Sequence, residues 1–341
     1  MVFINSDPLK FNSPVLIFFK PLNSYFYKKN LKVISATAQS IPKTPSVVTI
    51  GTFDGVHIGH QKIIRKLTKK AAEHHLISVV LTFFPHPRMV LQQNANIKLL
   101  NTIAERKEIL SALGLDFIYI QEFTKAFAEM SARDFVKTVL VDKLKVKHVI
   151  IGYDHHFGKN RSANIDDLRA FGTEFGFEVE EISAQDVDDV AVSSTKIRTA
   201  LNSGDIVTAT AFLGYDYYIN GTVVRGKGFG KKMEFPTANI SVDASYKLIP
   251  KNGVYVISSL VQNKTIYGMM NIGMNPTFHG DKKTIEAHFF DFYQDLYGQD
   301  LRINFLDRLR DERKFESVDA LIAQLRQDRT HAQHFIAQRN A

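Results

Sequence analysis

The stretch Val47 to Arg65, VVTIGTFDGVHIGHQKIIR, decides how this chain is read. Val47–Ile50 is a short β-branched apolar run and predicts a buried strand. Gly51 and Gly55 then bracket Phe53 and Asp54 in a turn where the backbone can bend sharply and approach a ligand. From about Gly59 the spacing becomes helical. Ile63, Ile64 and Leu67 fall on one face, with Lys62, Arg65, Lys66 and Lys69 on the other. Strand, glycine turn and helix form the opening unit of a nucleotide-binding α/β sheet, whose helix start offers free N–H groups to a phosphate.

His57 and His60 enclose Ile58-Gly59 at that helix start. Three readings apply. Two histidines near a helix cap need have no function. A zinc pair would need further ligands and is usually spaced i, i+4, whereas this pair is i, i+3 in a chain without cysteine. The third reading follows from the strand and glycines. Both imidazoles donate to a nucleoside triphosphate, where charge gathers on the β-phosphate as the bond to the α-phosphate breaks.

GTFDGVHIGH resembles the HxGH signature of the nucleotidylyltransferase superfamily. With TFDG before it, the stretch is similar to bacterial bifunctional riboflavin kinase/FMN adenylyltransferase, also called FAD synthetase. The resemblance covers about residues 31 to 341. It implies a Rossmann-like nucleotidylyltransferase domain with a parallel sheet, then a small antiparallel β-barrel with a C-terminal helix. In domain terms, residues 1–43 are an N-terminal extension, poorly ordered at its start. Residues 44–203 are the adenylyltransferase, 204–215 a linker and 216–341 the riboflavin kinase.

Composition agrees with two cores. The chain has 341 residues and is 45% apolar. A net charge of +8 suits anionic partners, and no long Lys/Arg run marks a nucleic-acid tail. The absence of cysteine excludes disulfides and thiolate chemistry. No apolar run approaches bilayer length. The segment VLIFF, Val15–Phe19, is too short and lacks the basic start of a signal peptide. The expectation is a cytoplasmic enzyme of small-molecule substrates, a monomer or weak oligomer, with no membrane or nucleic-acid partner.

From Ser46 to about Ser203 strands and helices alternate. The strands are Val47–Ile50, Ser78–Thr82, Phe117–Gln121, His148–Ile151 and Glu178–Ile182. The helices are about His60–His74, Ile103–Leu113, Ala132–Lys143 and Ile165–Phe175. Alternation predicts a parallel, doubly wound sheet with its functional loops at the strands' carboxyl ends. Three ends carry polar clusters. Phe83-Phe84-Pro85-His86-Pro87-Arg88 is read either as a plain turn or, by the resemblance, as a loop bordering substrate. Gly152 to Asn164 (GYDHHFGKNRSAN) looks like the family's loop contacting nucleotide and flavin. Asp154 is then on the nucleotide, with Phe157 and Asn164 on the flavin. Val192-Ser193-Ser194-Thr195-Lys196-Ile197-Arg198 offers a serine cap, a helix over Thr195–Asn202 and two cations. By its chemistry that is either an ordinary capped helix with exposed cations or an anion site, and it resembles the superfamily's SSTxxR element. The resemblance puts Gly51, Phe53, Asp54, Gly59 and this element on ATP.

A glycine at 204 breaks the helix, and a second helical run ends at Gly214. Then come short strands: Tyr217–Val224, Thr237–Val242, Gly253–Leu260, Thr265–Ile272, Thr284–Phe290 and Asp300–Leu309. An amphipathic helix follows from Val318 to about Gln327. Short strands with Gly, Pro and Asn between them predict a barrel. After its first strand, Gly226, Lys227, Gly228, Gly230 and Lys231 alternate glycine with cations, as a phosphate wrap does. Thr237 and Asn239 in FPTAN share one strand face, either as a pair on a solvated strand or as oxygen donors that suit Mg²⁺ carried with ATP. FPTAN resembles the riboflavin kinase signature. The resemblance makes Glu286 the base for the riboflavin 5′-hydroxyl.

Two positions depart from the family. Arg225 stands where relatives commonly have His, and Glu234 where they have Gly. A carboxylate beside the phosphate loop raises one rival, an FAD synthetase with a weakened kinase. Another nucleotidylyltransferase is a second rival, and a flavin- or RNA-binding module a third. The main expectation is both reactions, with ATP, riboflavin, FMN and Mg²⁺.

Overall fold

The computed structural model describes residues 31–35, 44–92, 97–152, 155–182, 192–226, 235–277 and 280–341. Six parallel strands make one sheet in the order β1-β4-β3-β2-β5-β6. They are β1 (Lys32–Ser35), β2 (Ser46–Ile50), β3 (Ile77–Phe84), β4 (Phe117–Glu122), β5 (Val146–Gly152) and β6 (Glu178–Ile182). Every residue of β2 is buried, because helices cover both faces of the sheet. On one face Val47, Val80, Ile118 and Ile150 pack with Ile64, Leu67 and Ala71 of helix α1 (Ile58–Glu73). On the other, Val48, Leu81, Val149 and Ile151 pack with Val136, Val139, Leu140 and Leu168. Adjacent strand residues point to opposite faces, so each strand feeds both clusters. The chain runs β2 to β3 to β4 on one side of β2 and returns to β5 on the other. The carboxyl end of β2 is therefore the switch point, where open α/β sheets place their ligands.

The expected elements are largely present, with four differences. The segment expected as an N-terminal extension contains β1, which pairs with Phe117–Ile120 of β4. Four residues at a sheet edge are too short to show a pattern. Residues 1–30 lie outside the described residues. The helix expected over Ala132–Lys143 is one α turn, Ala132–Phe135, followed by a π-helix, Val136–Lys143. Short helices α2 (Pro87–Leu91) and α4 (Lys125–Ala128) fill connections read as loops. The last helix runs to Asn340, well past Gln327. Its second half has a thin apolar stripe, Ala332, Phe335 and Ile336, which packs on Val256 and Leu306.

Helices α3 (Ile103–Ala112), α5 (Ala132–Phe135) and α6 (Ile165–Phe175) complete the first unit, followed by α7 (Ser194–Ser203) and α8 (Ile206–Leu213). Gly204 and Gly214 end α7 and α8 in left-handed backbone, as their positions in the sequence predict. The expected linker is thus a helix, and Ile206, Ala209 and Leu213 are buried in it. They join a cluster that also holds Leu100, Ile197 and Leu201 from the first unit and Tyr217, Ile257, Met270 and Phe305 from the second. The two units share this core.

The second unit is a closed antiparallel barrel in the order β10-β11-β8-β7-β12-β9. Its strands are β7 (Tyr218–Val224), β8 (Ala238–Ser241), β9 (Gly253–Val261), β10 (Lys264–Thr277), β11 (Gly280–Phe289) and β12 (Asp300–Arg310). Closure leaves no free sheet edge. The final helix, α9 (Val318–Asn340), crosses the outside. Asp328 on it is buried and takes Arg310 through both oxygens, at 2.7 to 3.0 Å.

Candidate active site

The turn after β2 is tightly folded. Phe53, Gly55 and Val56 all have positive φ, at 47°, 83° and 35°. Val56 is β-branched, for which this backbone carries strain. A Cβ at Gly55 would sit 2.6 Å from the Leu100 side chain. The close approach at this glycine is to the Leu100 side chain.

His57 is the N-cap of α1, and its Nδ1 accepts from the backbone N–H of His60 at 3.4 Å. The two rings stack with centroids 3.6 Å apart. Burial lowers the His57 pKa to about 4 against the pull of Asp54. His60 falls well below its ordinary value, through burial, then the charges of His57 and Arg106. His86, from the Phe84-Pro85-His86 loop, caps α2 and is lowered to about 4, mainly by burial. Asp54, Arg198 and Arg106 all act on it. Three histidines thus stand neutral around the mouth of β2.

Asp54, expected on the nucleotide, is turned inward and fully buried. It accepts from the N–H groups of Leu100 (3.0 and 3.1 Å) and Asn101 (3.2 Å). Arg198 Nη2 lies 2.5 Å from it and Arg106 Nη2 3.6 Å. Arg106 also donates to Thr82, whose hydroxyl donates to the Thr52 carbonyl. Ser194 Oγ donates to the Asp54 carbonyl at 2.8 Å. The two elements singled out from sequence, TFDGVHIGH and SSTKIR, therefore meet through Asp54. Ser193 caps α7 by accepting from the Lys196 N–H, and Thr195 and Lys196 stand exposed at the helix start. Arg198, expected as an anion contact, has its guanidinium engaged by Asp54 and the Lys98 carbonyl.

Other expected residues fall on the same edge of the sheet. Phe83 packs edge-on to Phe123 and leans on Phe127, and Phe84 meets Tyr246 of the second unit. Phe157 is a buried anchor that bridges Ala163 and contacts Phe135. Asn164 is exposed and caps α6 in a capping box with Asp167. Asp154 lies outside the described residues. A cavity of about 550 Å³ lined by His74, His148 and Glu178 lies at the opposite, amino-terminal edge of β5 and β6 and contains none of these groups.

In the barrel, Asn239 and Asn271 both pair with Glu286, so one row on the outer face carries all three. Thr237 Oγ1 is 3.4 Å from Glu286 Oε2. The Gly226 backbone rests on the Asn239 amide, and a Cβ there would meet Nδ2 at 2.0 Å. His288, next along the same face, holds the Pro236 carbonyl of FPTAN at 2.8 Å. Arg225 lies over the Tyr297 ring at 5.8 Å. Lys227, Gly228, Gly230, Lys231 and Glu234 lie outside the described residues.

Sequence reading missed the groups beneath the first site: Gln61, Glu105, Arg106, Tyr215 and Lys247. Gln61 donates to the carbonyls of Val56 and Leu213, tying α8 to the turn. Tyr215 donates to the Gly55 carbonyl at 2.7 Å. Only Glu105 had a signal in the sequence, the capping box it forms with Thr102.

A family model described as FAD synthetase matches residues 39–196, and one described as riboflavin kinase matches residues 213–336. The bifunctional riboflavin kinase/FMN adenylyltransferase of Listeria monocytogenes is 39% identical over 293 residues, covering 85% of this chain and 92% of its own length. The Bacillus subtilis protein of that name is 36% identical, covering 84% and 91%. The Escherichia coli one is 32% identical, covering 86% and 94%. A solved structure from Streptococcus pneumoniae named a macrolide-efflux protein superposes with a TM-score of 0.81 at 32% identity, covering 88% of this chain and 98% of that one. Among the described residues of this chain, no helix is long and apolar enough to cross a membrane. Both family models match in the order of sheet and barrel, and the chain belongs to the bifunctional riboflavin kinase/FMN adenylyltransferase family.

Proposed function

We propose that this chain converts riboflavin to FMN in the barrel and FMN to FAD at the switch point of the sheet, with a separate ATP for each step. The observation that carries the first site is the junction of the two motifs at Asp54, which brings the α1 and α7 helix starts together. ATP lies between those starts, with its phosphates facing their N–H groups. The FMN phosphate attacks the α-phosphate, the bond to the β-phosphate breaks, and pyrophosphate leaves. The attacking group is already anionic, so the protein's work is alignment and charge stabilisation. Neutral His57 and His60 donate to the phosphate that gains charge. Lys196 and the α7 start hold the anion, Gly51, Phe53 and Gly59 shape the turn, and Asp54 and Arg198 hold the two helix starts in register. Phe83 at the end of β3, with Pro85, His86, Phe157, Asn164 and Asp154 in the loops beyond the strands, borders nucleotide and flavin.

In the barrel, Glu286 takes the proton of the riboflavin 5′-hydroxyl as that oxygen attacks the γ-phosphate and ADP departs. Thr237 and Asn239 offer neutral oxygen donors beside a carboxylate, a set that suits a hard cation such as Mg²⁺. Magnesium bound there supplies charge neutralisation to the phosphates. Gly226, Lys227, Gly228, Gly230 and Lys231 form the phosphate wrap. Dependence on ATP fits a cytoplasmic protein. Chromatography of products from riboflavin, ATP and Mg²⁺, and again from added FMN, tests the reading: FMN appears first and FAD after it, no FMN from riboflavin removes the barrel site, and no FAD from added FMN removes the first site.

A further inference from the structure

Lys247 sits in the connection between β8 and β9, yet its ammonium ends inside the first unit. Its side chain has no solvent exposure, and that of Glu105 is 1% exposed. Nζ lies 2.6 Å from Glu105 Oε2 and 2.7 Å from the Leu100 carbonyl. It also stands over the Tyr217 ring at 4.6 Å. The backbone on either side is fixed as well: Leu99 donates to Tyr246 and Leu248 donates to Leu99, at 2.7 and 2.8 Å. Glu105 in turn accepts from the Thr102 N–H and from Asn220.

The Leu100–Asn101 peptide group is therefore held at both ends. Its carbonyl faces the Lys247 ammonium, and its N–H faces the Asp54 carboxylate. Asp54 continues the chain to Arg198 of α7 and, through its own position in the turn, to His57 three residues on. A peptide dipole between a cation and an anion is polarised by both, which strengthens each contact in a buried setting.

We infer that Lys247, a barrel residue, is a positioning residue for adenylyl transfer in the other unit, holding the Leu100–Asn101 peptide against Asp54 and so setting the spacing of the α1 and α7 helix starts. The inference rests on the assignment of that reaction to the His57–His60 turn. It makes the barrel part of the adenylyltransferase as well as the seat of the kinase.

The test uses the full chain. Lys247→Met alone leaves Glu105 charged and unpaired, so a Lys247→Met, Glu105→Gln double variant is made beside it. Glutamine keeps the capping box, and methionine keeps the lysine stem. FMN formation from riboflavin and FAD formation from FMN are measured on each preparation, with kcat and KM. In the double variant the expected result is a kcat for FAD formation lowered about tenfold or more, a KM for FMN little changed, and FMN formation as in the parent. A purely structural role would lower both activities together, since Lys247 belongs to the barrel. Proportional loss of both, or FAD formation as in the parent, overturns the inference. His57→Ala is assayed alongside. If it still forms FAD, the site assignment fails and takes the inference with it. If it does not, while the double variant does, only the inference fails.

Discussion

The guanidinium of Arg198 lies 2.5 Å from the carboxylate of Asp54, joining the first and last helix starts of the parallel sheet. Asp54 is 1% exposed and has Arg106, also 1% exposed, on its other side. Removing one partner of such a buried group leaves the remaining charges uncompensated. Asp54→Ala should lower stability by about 3–5 kcal/mol, read by urea denaturation followed by circular dichroism. FAD formation should fall further than the folded fraction alone explains.

The barrel site depends on one close approach. A Cβ at Gly226 would come within 2.0 Å of Asn239 Nδ2, so Gly226→Ala must push that amide aside. The expected result is FMN formation lowered about tenfold or more, with FAD formation from added FMN unchanged. Equal activity in both assays would show that Asn239 has room to move without consequence.

Acid should destabilise the first unit. His57 and His86 have folded pKa values of about 4, below the ordinary 6.5, because burial penalises the imidazolium. The fold therefore favours their neutral forms. The stability tied to this is fully present above about pH 6.5 and is lost as pH falls through about 4, at no more than about 1.4 kcal/mol per pH unit for each histidine. Chemical denaturation at several pH values across that window measures the slope. His57→Asn puts a capping oxygen in place of Nδ1 and should make the slope shallower.

Much of this was legible because the deciding patterns are local. The β2 strand, the glycine turn, the capped α7 and the glycine stops at Gly204 and Gly214 each announce themselves within a few residues. The strand β1 was not legible, since four edge residues gain their structure from pairing with β4. The inward turn of Asp54 was hidden for a different reason. Its partners Leu100, Asn101, Arg106 and Arg198 come from distant segments, and an acid between two glycines reads the same whether it faces ligand or protein. Lys247 gave no signal at all, because a lysine is ordinarily a surface residue. Only the docking of the barrel on the Leu99–Asn101 segment buries it.

The proposed division of labour gives His57 and His60 one ATP site and Glu286, Thr237 and Asn239 the other. The most direct measurement is product chromatography after incubating His57→Ala and Glu286→Ala separately with riboflavin, ATP and Mg²⁺, and again with FMN, ATP and Mg²⁺. His57→Ala should accumulate FMN and make no FAD. Glu286→Ala should leave riboflavin unconsumed yet convert added FMN to FAD. Equal loss of both products in either variant would contradict it.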